Sequence, residues 1–531
     1  MTGSQSDLPL CSPPLVGGYF VAVTEVRTRQ RRERRTRSAV GDQPAAKQPR
    51  YSQPPARVIS DDEVEAIHLA SLEVLNRTGI DFLHADARAR LAAVGARVEG
   101  NRVRFDPEMV MEHLATIPSV FTLHGTAPHR DLIIGGEHIV FSSVASAPNY
   151  VTLDGVRRAG DREGYRDFLR LGQMLNAVHM FNGFPVEPVD LHASIRHLET
   201  AWDAYTLSDK PFHIYSLGRD RNLDGLEMAR IARGVDHDTF ESEPSLCSII
   251  NASSPLRYDD PMLEGIIRMS ERNQVIIVTP FTLAGAMAPI TLAGALVQQN
   301  AEALAGLVLT QVVRPGSPAV YGGFTSNVDM RSGAPAFGTP EYAKAAIAGG
   351  QLARRYDIPY RSSNVSTSNA VDAQAGYESA WALWGAITGG AHMVMHAAGW
   401  MEGGLHASFE KMVIDADLLN MVSKFLEPLV VDDSTLAIDA IDRVGPAGHF
   451  FADEHTQSRY TDEFLSPMVS DWRNWESWQL AGSPDSRSRA NALARELIAA
   501  HVEPGLDDAI RAELREFVDR RVAEGGVATD F

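Results

Sequence analysis

The sequence predicts an α/β fold of the (β/α)8 type: eight short parallel strands, each followed by a helix, with extra N-terminal helices and a C-terminal helical extension. Three observations predict it. From residue 138 onward, short apolar runs bounded by turn residues recur, segments of helical period separate most of them, and the runs number eight. Strands alternating with helices imply right-handed crossovers and a parallel sheet. Eight such units favour a closed barrel over an open doubly wound sheet, and no glycine-rich dinucleotide fingerprint follows any run.

In chain order the strands are expected at HIVFS (138–142), HMFNGF (179–184), PFHIYSL (211–217), LCSIINA (246–252), QVIIVTPF (274–281), PAVYGGF (318–324), PYRSSNV (359–365) and AHMVMHAA (391–398). Between them, DREGYRDFLRLGQMLN, HASIRHLETAWDAYTL, LEMARIARGV, LAGALVQQNAEALAGLVLTQVV and PEYAKAAIAGGQLARRY place apolar residues three and four apart, the mark of amphipathic helices. DDEVEAIHLASLEVLNRTGI and DPEMVMEHLATI read as helices ahead of the barrel, and DSRSRANALARELIAAHVEPGLDDAIRAELREFVDRRVAEGG as the helical extension. The expected organisation is therefore a basic, disordered arm over 1–56, a helical segment packed on the barrel over 57–137, the barrel over 138–430, and an extension completing the same domain over 431–531.

A formal charge of −19 argues against nucleic acid or an anionic membrane as a partner. RTRQRRERRTR (27–37) carries seven arginines, and the Pro-, Ala- and Gln-rich stretch after it reads as a solvated arm. LVGGYFVAV (15–23) is too short and too broken by glycine for a membrane span, and the basic run follows it, unlike a signal peptide. Cys11 and Cys247 offer no zinc pattern and no expected disulfide, so a reducing cytoplasm is the expected location.

In a barrel the chemistry sits where strands end. The segments after the apolar runs are rich in Gly, Ser, Asn and Pro, with recurring rings: Tyr150, Phe184, Phe281, Tyr321, Phe324, Phe337, Tyr377 and Trp400. Each alone reads as a turn or packing residue; together they outline a roomy pocket with aromatic faces and little charge. A quaternary ammonium suits such a pocket, since ring faces hold it by cation–π attraction. A carboxylate on the same ligand needs a cationic clamp, for which Arg331, Arg361 and Arg257 are candidates, each equally readable as a rim salt bridge. His392 and His396 lack the intervening Glu of a zincin motif, so no metal site is assigned. His396, at a strand end, is expected to face the pocket as a donor or proton handler, and His392 to be a buried barrel histidine.

GTPEYAKAAIAGGQLARRYDIPYR, VDAQAGYES, HAAGWMEGGLHASFEKMVIDADLL, LAGAMAPITLAGALVQQNAEALAGLVL, RPGSPAVYGGFTSNVDMRSG and GPAGHFFADEHT resemble the trimethylamine:corrinoid methyltransferase family from about Ile67 to the C-terminal helices. The resemblance implies a TIM barrel that removes a methyl group from an amine and passes it to the cob(I)alamin of a separate corrinoid protein. Founding members carry pyrrolysine in a pocket-facing loop, and the match puts Thr367, Ser368 and Asn369 there, followed by Asp372 and Gln374. No pyrrolysine occurs in this chain and no Lys between Lys344 and Lys411, so this loop offers no imine route. The chain is thus similar to non-pyrrolysine members acting on quaternary amines such as glycine betaine, whose leaving group is a neutral tertiary amine.

The roles implied are cation contact by Tyr321, Phe337, Tyr377 and Trp400, carboxylate pairing by Arg331, and a methyl-facing end lined by Asn369, Asp372, Gln374 and His396. Asp372 reads equally as the cap of the following helix. Rival readings are a non-catalytic quaternary-amine binding protein and a demethylase handing its methyl directly to tetrahydrofolate. Self-association is the default expectation for a large barrel.

Overall fold

The computed structural model describes residues 43–529, so the arginine-rich run and Cys11 lie outside the described residues. Residues 43–56, assigned by the sequence to the arm, form instead an extended strap. Gln48 exchanges hydrogen bonds with the Ile133 backbone, Tyr51 Oη donates to Ala391 O at 2.8 Å, and Lys47 pairs with Glu427 at 2.9 Å. Prolines at 44, 49, 54 and 55 bring no backbone donor, and side-chain bonds share the anchoring with backbone ones such as Tyr51 N to Glu137 O.

The expected leading helices are α1 (Asp61–Glu73), α2 (Ala85–Ala93) and α3 (Pro107–Leu114). α1 starts in a capping box, Ser60 and Glu63 each satisfying the other's backbone N–H. Three short strands among them, Ile80–Phe82, Arg97–Glu99 and Arg102–Arg104, form a small sheet with Arg257–Tyr258. The sequence does not announce them, because three-residue strands such as Ile80-Asp81-Phe82 and Arg102-Val103-Arg104 make no apolar run.

Seven of the eight expected runs join one parallel sheet: β1 (Val140–Ser143), β2 (His213–Tyr215), β3 (Cys247–Ile250), β4 (Val275–Val278), β5 (Ala319–Gly322), β6 (Tyr360–Ser363) and β7 (Met393–Ala398). Its order is β1-β7-β6-β5-β4-β3-β2. HMFNGF makes no ladder: Met180 forms one parallel bridge to Ser142, and Phe181 one to Phe212. The run then turns away at Gly183, which has φ +73° and stands so close to His213 that a Cβ would lie 2.8 Å from Nδ1. The architecture is a curled parallel sheet whose two edge strands meet the same short segment.

Helices return between the strands: α4 (Arg162–Met174), α5 (Arg196–Leu207), α6 (Arg219–Arg233), α7 (Asp260–Glu271), α8 (Leu292–Val313), α9 (Pro340–Arg355), α10 (Ala373–Thr388) and α11 (Phe409–Phe425). α8 is long and apolar enough for a membrane span, but 78% of that stretch is buried in the fold. It also carries the buried Glu302, which accepts from Ser254 Oγ and Leu256 N. α12 (Ser486–Ala499) packs on α11 and α4, and α13 (Asp508–Ala523) on α5 and α6.

Both sheet faces are covered, which is why the strands read as nearly continuous apolar runs. Alternate residues divide between two cores. Val140, Cys247, Val275, Ile277, Val320, Met393 and Met395 pack together with Met180 and with Leu123, Leu132 and Ile134 of a β-hairpin. The neighbouring strand positions join the larger core beneath the helices.

Candidate functional site

Further along the strands the same alternation turns polar. Cys247 and Ile249 are followed by Asn251, Val275 and Ile277 by Thr279, and Met180 by Asn182. Asn251, Thr279 and Asn182, with Tyr215, His213, Arg361 and His396, line a cavity of about 240 Å³ where the strands end. Two larger clefts, of about 530 and 500 Å³, flank the strap. They lie where the strands begin, the end that serves stability in this architecture.

Aromatic rings form the cavity's other wall. Phe281 and Phe324 start a pair of short parallel strands beyond β4 and β5. With Phe337 they make a triangle of rings whose centroids are 5.2, 5.5 and 6.2 Å apart. Trp400 stands 4.2 Å from the His396 ring.

Arg361 is buried in β6, forms no ion pair among the described residues, and leaves Nε and Nη1 without a hydrogen-bond partner. Burial pushes its pKa down to about 10, which still leaves it charged at neutral pH. A buried cation without a counter-charge is costly and signals a missing anion. His213 adds a donor: the Ile249 N–H donates to Nε2 at 2.8 Å, so the neutral ring carries its proton on the unpartnered Nδ1. Burial, then the nearby Arg361, pushes the His213 pKa down to about 3.

The same two causes hold His396 well below the usual histidine range. Its Nδ1 lies 3.3 Å from Ser363 Oγ, and its φ of +53° falls in an irregularity of β7 between Val394 and Ala398. A bulky residue takes that left-handed conformation only at a cost, which structures tend to keep where function needs it. Both amide atoms of Asn182, Thr279 Oγ1 and Trp400 Nε1 are likewise buried without a partner. So dense a set of unsatisfied groups is foreign to an ordinary core. Asp, Glu, Lys and Cys are absent from the lining.

Two buried carboxylates hold the adjoining loops. Glu378 accepts from Ser366 Oγ, Thr367 N, Thr367 Oγ1, Ser368 N and Gln374 Nε2 at 2.7–3.2 Å. The small polar residues after β6 are therefore the shell of one carboxylate. Their carbonyls in turn hold the next loop, Ser368 O accepting from Glu402 N and Ser366 O from Gly403 N, both at 2.9 Å. Asp415 pairs with Lys411 and accepts from Gly399 N at 2.9 Å, fixing the turn that presents Trp400.

Of the residues singled out from the sequence, Phe281, Phe324, Phe337, Arg361, His396 and Trp400 line the cavity together. Tyr321 is buried behind β5, hydrogen-bonded to Asn300 and Gln299 of α8. Tyr377 is 62% exposed on the outer face of α10. Asp372 caps α10, accepting from Gln374 N and Ala375 N, and the Gln374 side chain is turned to Glu378. Asn369 lies in a separate cleft with Arg157, Glu402 and His406, and Arg331 is exposed in the turn after Asp329. His392 sits where β7 begins, its Nε2 3.1 Å from Gly136 O. His213, Asn182 and Thr279 escaped the sequence reading, and only their even spacing from buried strand residues marks them.

A buried cation, unpartnered donors and aromatic rings around one cavity make a site that can hold a small charged ligand. The family described as trimethylamine methyltransferase (MTTB) matches residues 25–526, and the chain belongs to it; the protein is a methyltransferase. It is 36% identical over 474 residues to the glycine betaine methyltransferase of Desulfitobacterium hafniense strain Y51, spanning 89% of this chain and 98% of that relative. Trimethylamine methyltransferase MttB of Desulfitobacterium hafniense strain DSM 10664 / DCB-2 is 29% identical over 476 residues, 88% of this chain and 95% of its own. Proline betaine:corrinoid methyltransferase of Eubacterium limosum is 26% identical over 471 residues, 85% of this chain and 94% of its own.

Proposed function

We propose that this methyltransferase takes a methyl group from a small betaine, a quaternary amine bearing a carboxylate, and delivers it to the corrinoid of a separate protein. The observation that carries the reading is the unpaired Arg361 beside the Phe281, Phe324 and Phe337 rings. Arg361 asks for an anion and the aromatic rings suit an onium group. Relatives named for glycine betaine and proline betaine, the latter also for a corrinoid acceptor, support it. The supporting scaffold is a closed (β/α)8 barrel in which residues 179–184 act as the eighth strand, and the expected location is the cytoplasm.

The acceptor is a substrate on another protein, and its reduced cobalt supplies the nucleophile. This chain positions and dries the donor. Arg361 and the Nδ1–H of His213 hold the carboxylate, and the phenyl triangle with Trp400 faces the trimethylammonium group. Alignment of the methyl carbon with the incoming acceptor accounts for a large part of such a barrier. The departing tertiary amine is neutral, so no group here has to donate a proton, in keeping with His213 and His396 being held uncharged. His396 orients the methyl-bearing end.

The test mixes the purified protein with a reduced corrinoid protein and a panel of betaines and methylamines, following the corrinoid spectrum. Methylation from a betaine, and none from trimethylamine or with corrinoid omitted, is the expected result. Methylation from trimethylamine alone, or betaine binding without turnover, overturns the proposal.

A further inference from the structure

We propose that two copies of this chain associate by laying the surface stretch 427–484 of each across the outer face of α10 of the other. Nearly half of the large apolar side chains exposed among the described residues fall between Met421 and Leu480. Phe451 is 81% exposed, Phe464 77% and Trp472 76%, and only Ala440 and Val469 of the stretch reach the core. Its regular structure is confined to short helices such as Ile438–Val444 and Trp475–Leu480. It is tethered where Asp417 accepts from the N–H groups of Met468, Val469 and Ser470, and Arg489 Nε donates to Val469 O. The segments on either side of this tether carry the exposed rings.

α10 bears the second uncovered patch. Tyr377, Trp381 and Trp384, spaced four and three apart, share one helix face and are 62%, 43% and 52% exposed. Contiguous apolar surface of this kind marks an interaction site in a folded protein. With aromatic side chains burying 150–250 Å² each, the six rings named leave on the order of 800 Å² uncovered, about what one partner contributes to a standard interface.

The occupant is a second copy, because both patches belong to one chain and a two-fold pairing covers all four at once. A partner delivering a methyl acceptor has to approach the cavity, where the strands end. The stretch 427–484 starts beside Glu427, which pairs with Lys47 of the strap where the strands begin, and returns at Pro484, whose carbonyl accepts from Arg489 Nη1. Sedimentation of the chain by itself involves no corrinoid protein, so its outcome is independent of the reaction proposed above.

Sedimentation of the full chain at micromolar concentration tests it. The parent protein should run at twice the chain mass, and Trp381→Glu/Trp384→Glu and Phe464→Glu/Trp472→Glu should each weaken association at least a hundredfold with unchanged far-UV circular dichroism. Hydroxyl-radical footprinting of the unmodified protein avoids any folding defect: Trp384 and Trp472 should lose protection together on dilution. A parent of single-chain mass, a single chain gaining mass only with a corrinoid protein, variants that keep the parent mass, or protection independent of concentration overturns the proposal.

Discussion

The Arg361 guanidinium carbon lies 5.1 Å from the centroid of the Phe324 ring, so the cavity's single cation rests on one of its own aromatic walls. Ring and guanidinium attract each other, but the ring cannot accept the in-plane hydrogen bonds that Nε and Nη1 offer.

Arg361→Leu should separate stability from binding. Removing an uncompensated buried charge should raise the stability of the ligand-free protein by about 1–3 kcal/mol, read as a higher denaturant midpoint. Betaine affinity should fall at least about a hundredfold, roughly 2.7 kcal/mol, while tetramethylammonium binding changes little. Calorimetry with both ligands checks this, and equal losses would remove Arg361 from the clamp.

Acid should destabilise the fold through histidines buried in neutral form. His179 and His213 have pKa values pushed down to about 3 from 6.5, in both mainly by burial. Between those values the unfolded chain binds more protons than the folded one. Their contribution is therefore complete above pH 6.5 and is lost as pH falls towards 3, at up to about 1.4 kcal/mol per pH unit for each ring. The stability slope of His213→Gln between pH 6 and 4.5 should be shallower by about one proton, measured by urea unfolding across pH.

Glu378→Ala should loosen the loop after β6 before anything else. Five donors lose their acceptor, and unsatisfied buried donors cost about 1–3 kcal/mol each until water reaches them. Hydrogen exchange at residues 366–374 should accelerate strongly, with β6 itself still protected. Turnover should fall as the Glu402–Gly403 backbone loses its partners in that loop.

Asp415→Leu leaves Lys411 charged in a sealed site and should cost about 3–5 kcal/mol, whereas the double variant Lys411→Met/Asp415→Leu should recover much of that. Trp400 fluorescence, compared with a Trp400→Phe control, should report a displaced turn in either variant. A double variant as unstable as the single one would show that the pair contributes more than mutual neutralisation.

The strand positions were legible because a sheet covered on both faces spells its strands as apolar runs. HMFNGF has the composition of such a strand, yet it forms only the two bridges at Met180 and Phe181 before turning away at Gly183. The same two-sided burial hides which way a strand residue points. Tyr321 and Arg361 look equally placed in sequence, yet one lies against α8 and the other in the cavity. His396 and Trp400 were legible because they stand near and just past the end of β7. Tyr377, in the first turns of α10, and Arg331, in the turn after Asp329, sit on outward surfaces. Glu378 was silent, since nothing in a helical Glu tells which loop will fold around it.

A bare guanidinium at the bottom of a pocket is indifferent to which small acid reaches it first. Acetate, formate or citrate in a preparation would settle against Arg361 and be counted as part of the apparent KM. Kinetics on this protein should therefore be run in amine or zwitterionic buffers lacking a free carboxylate.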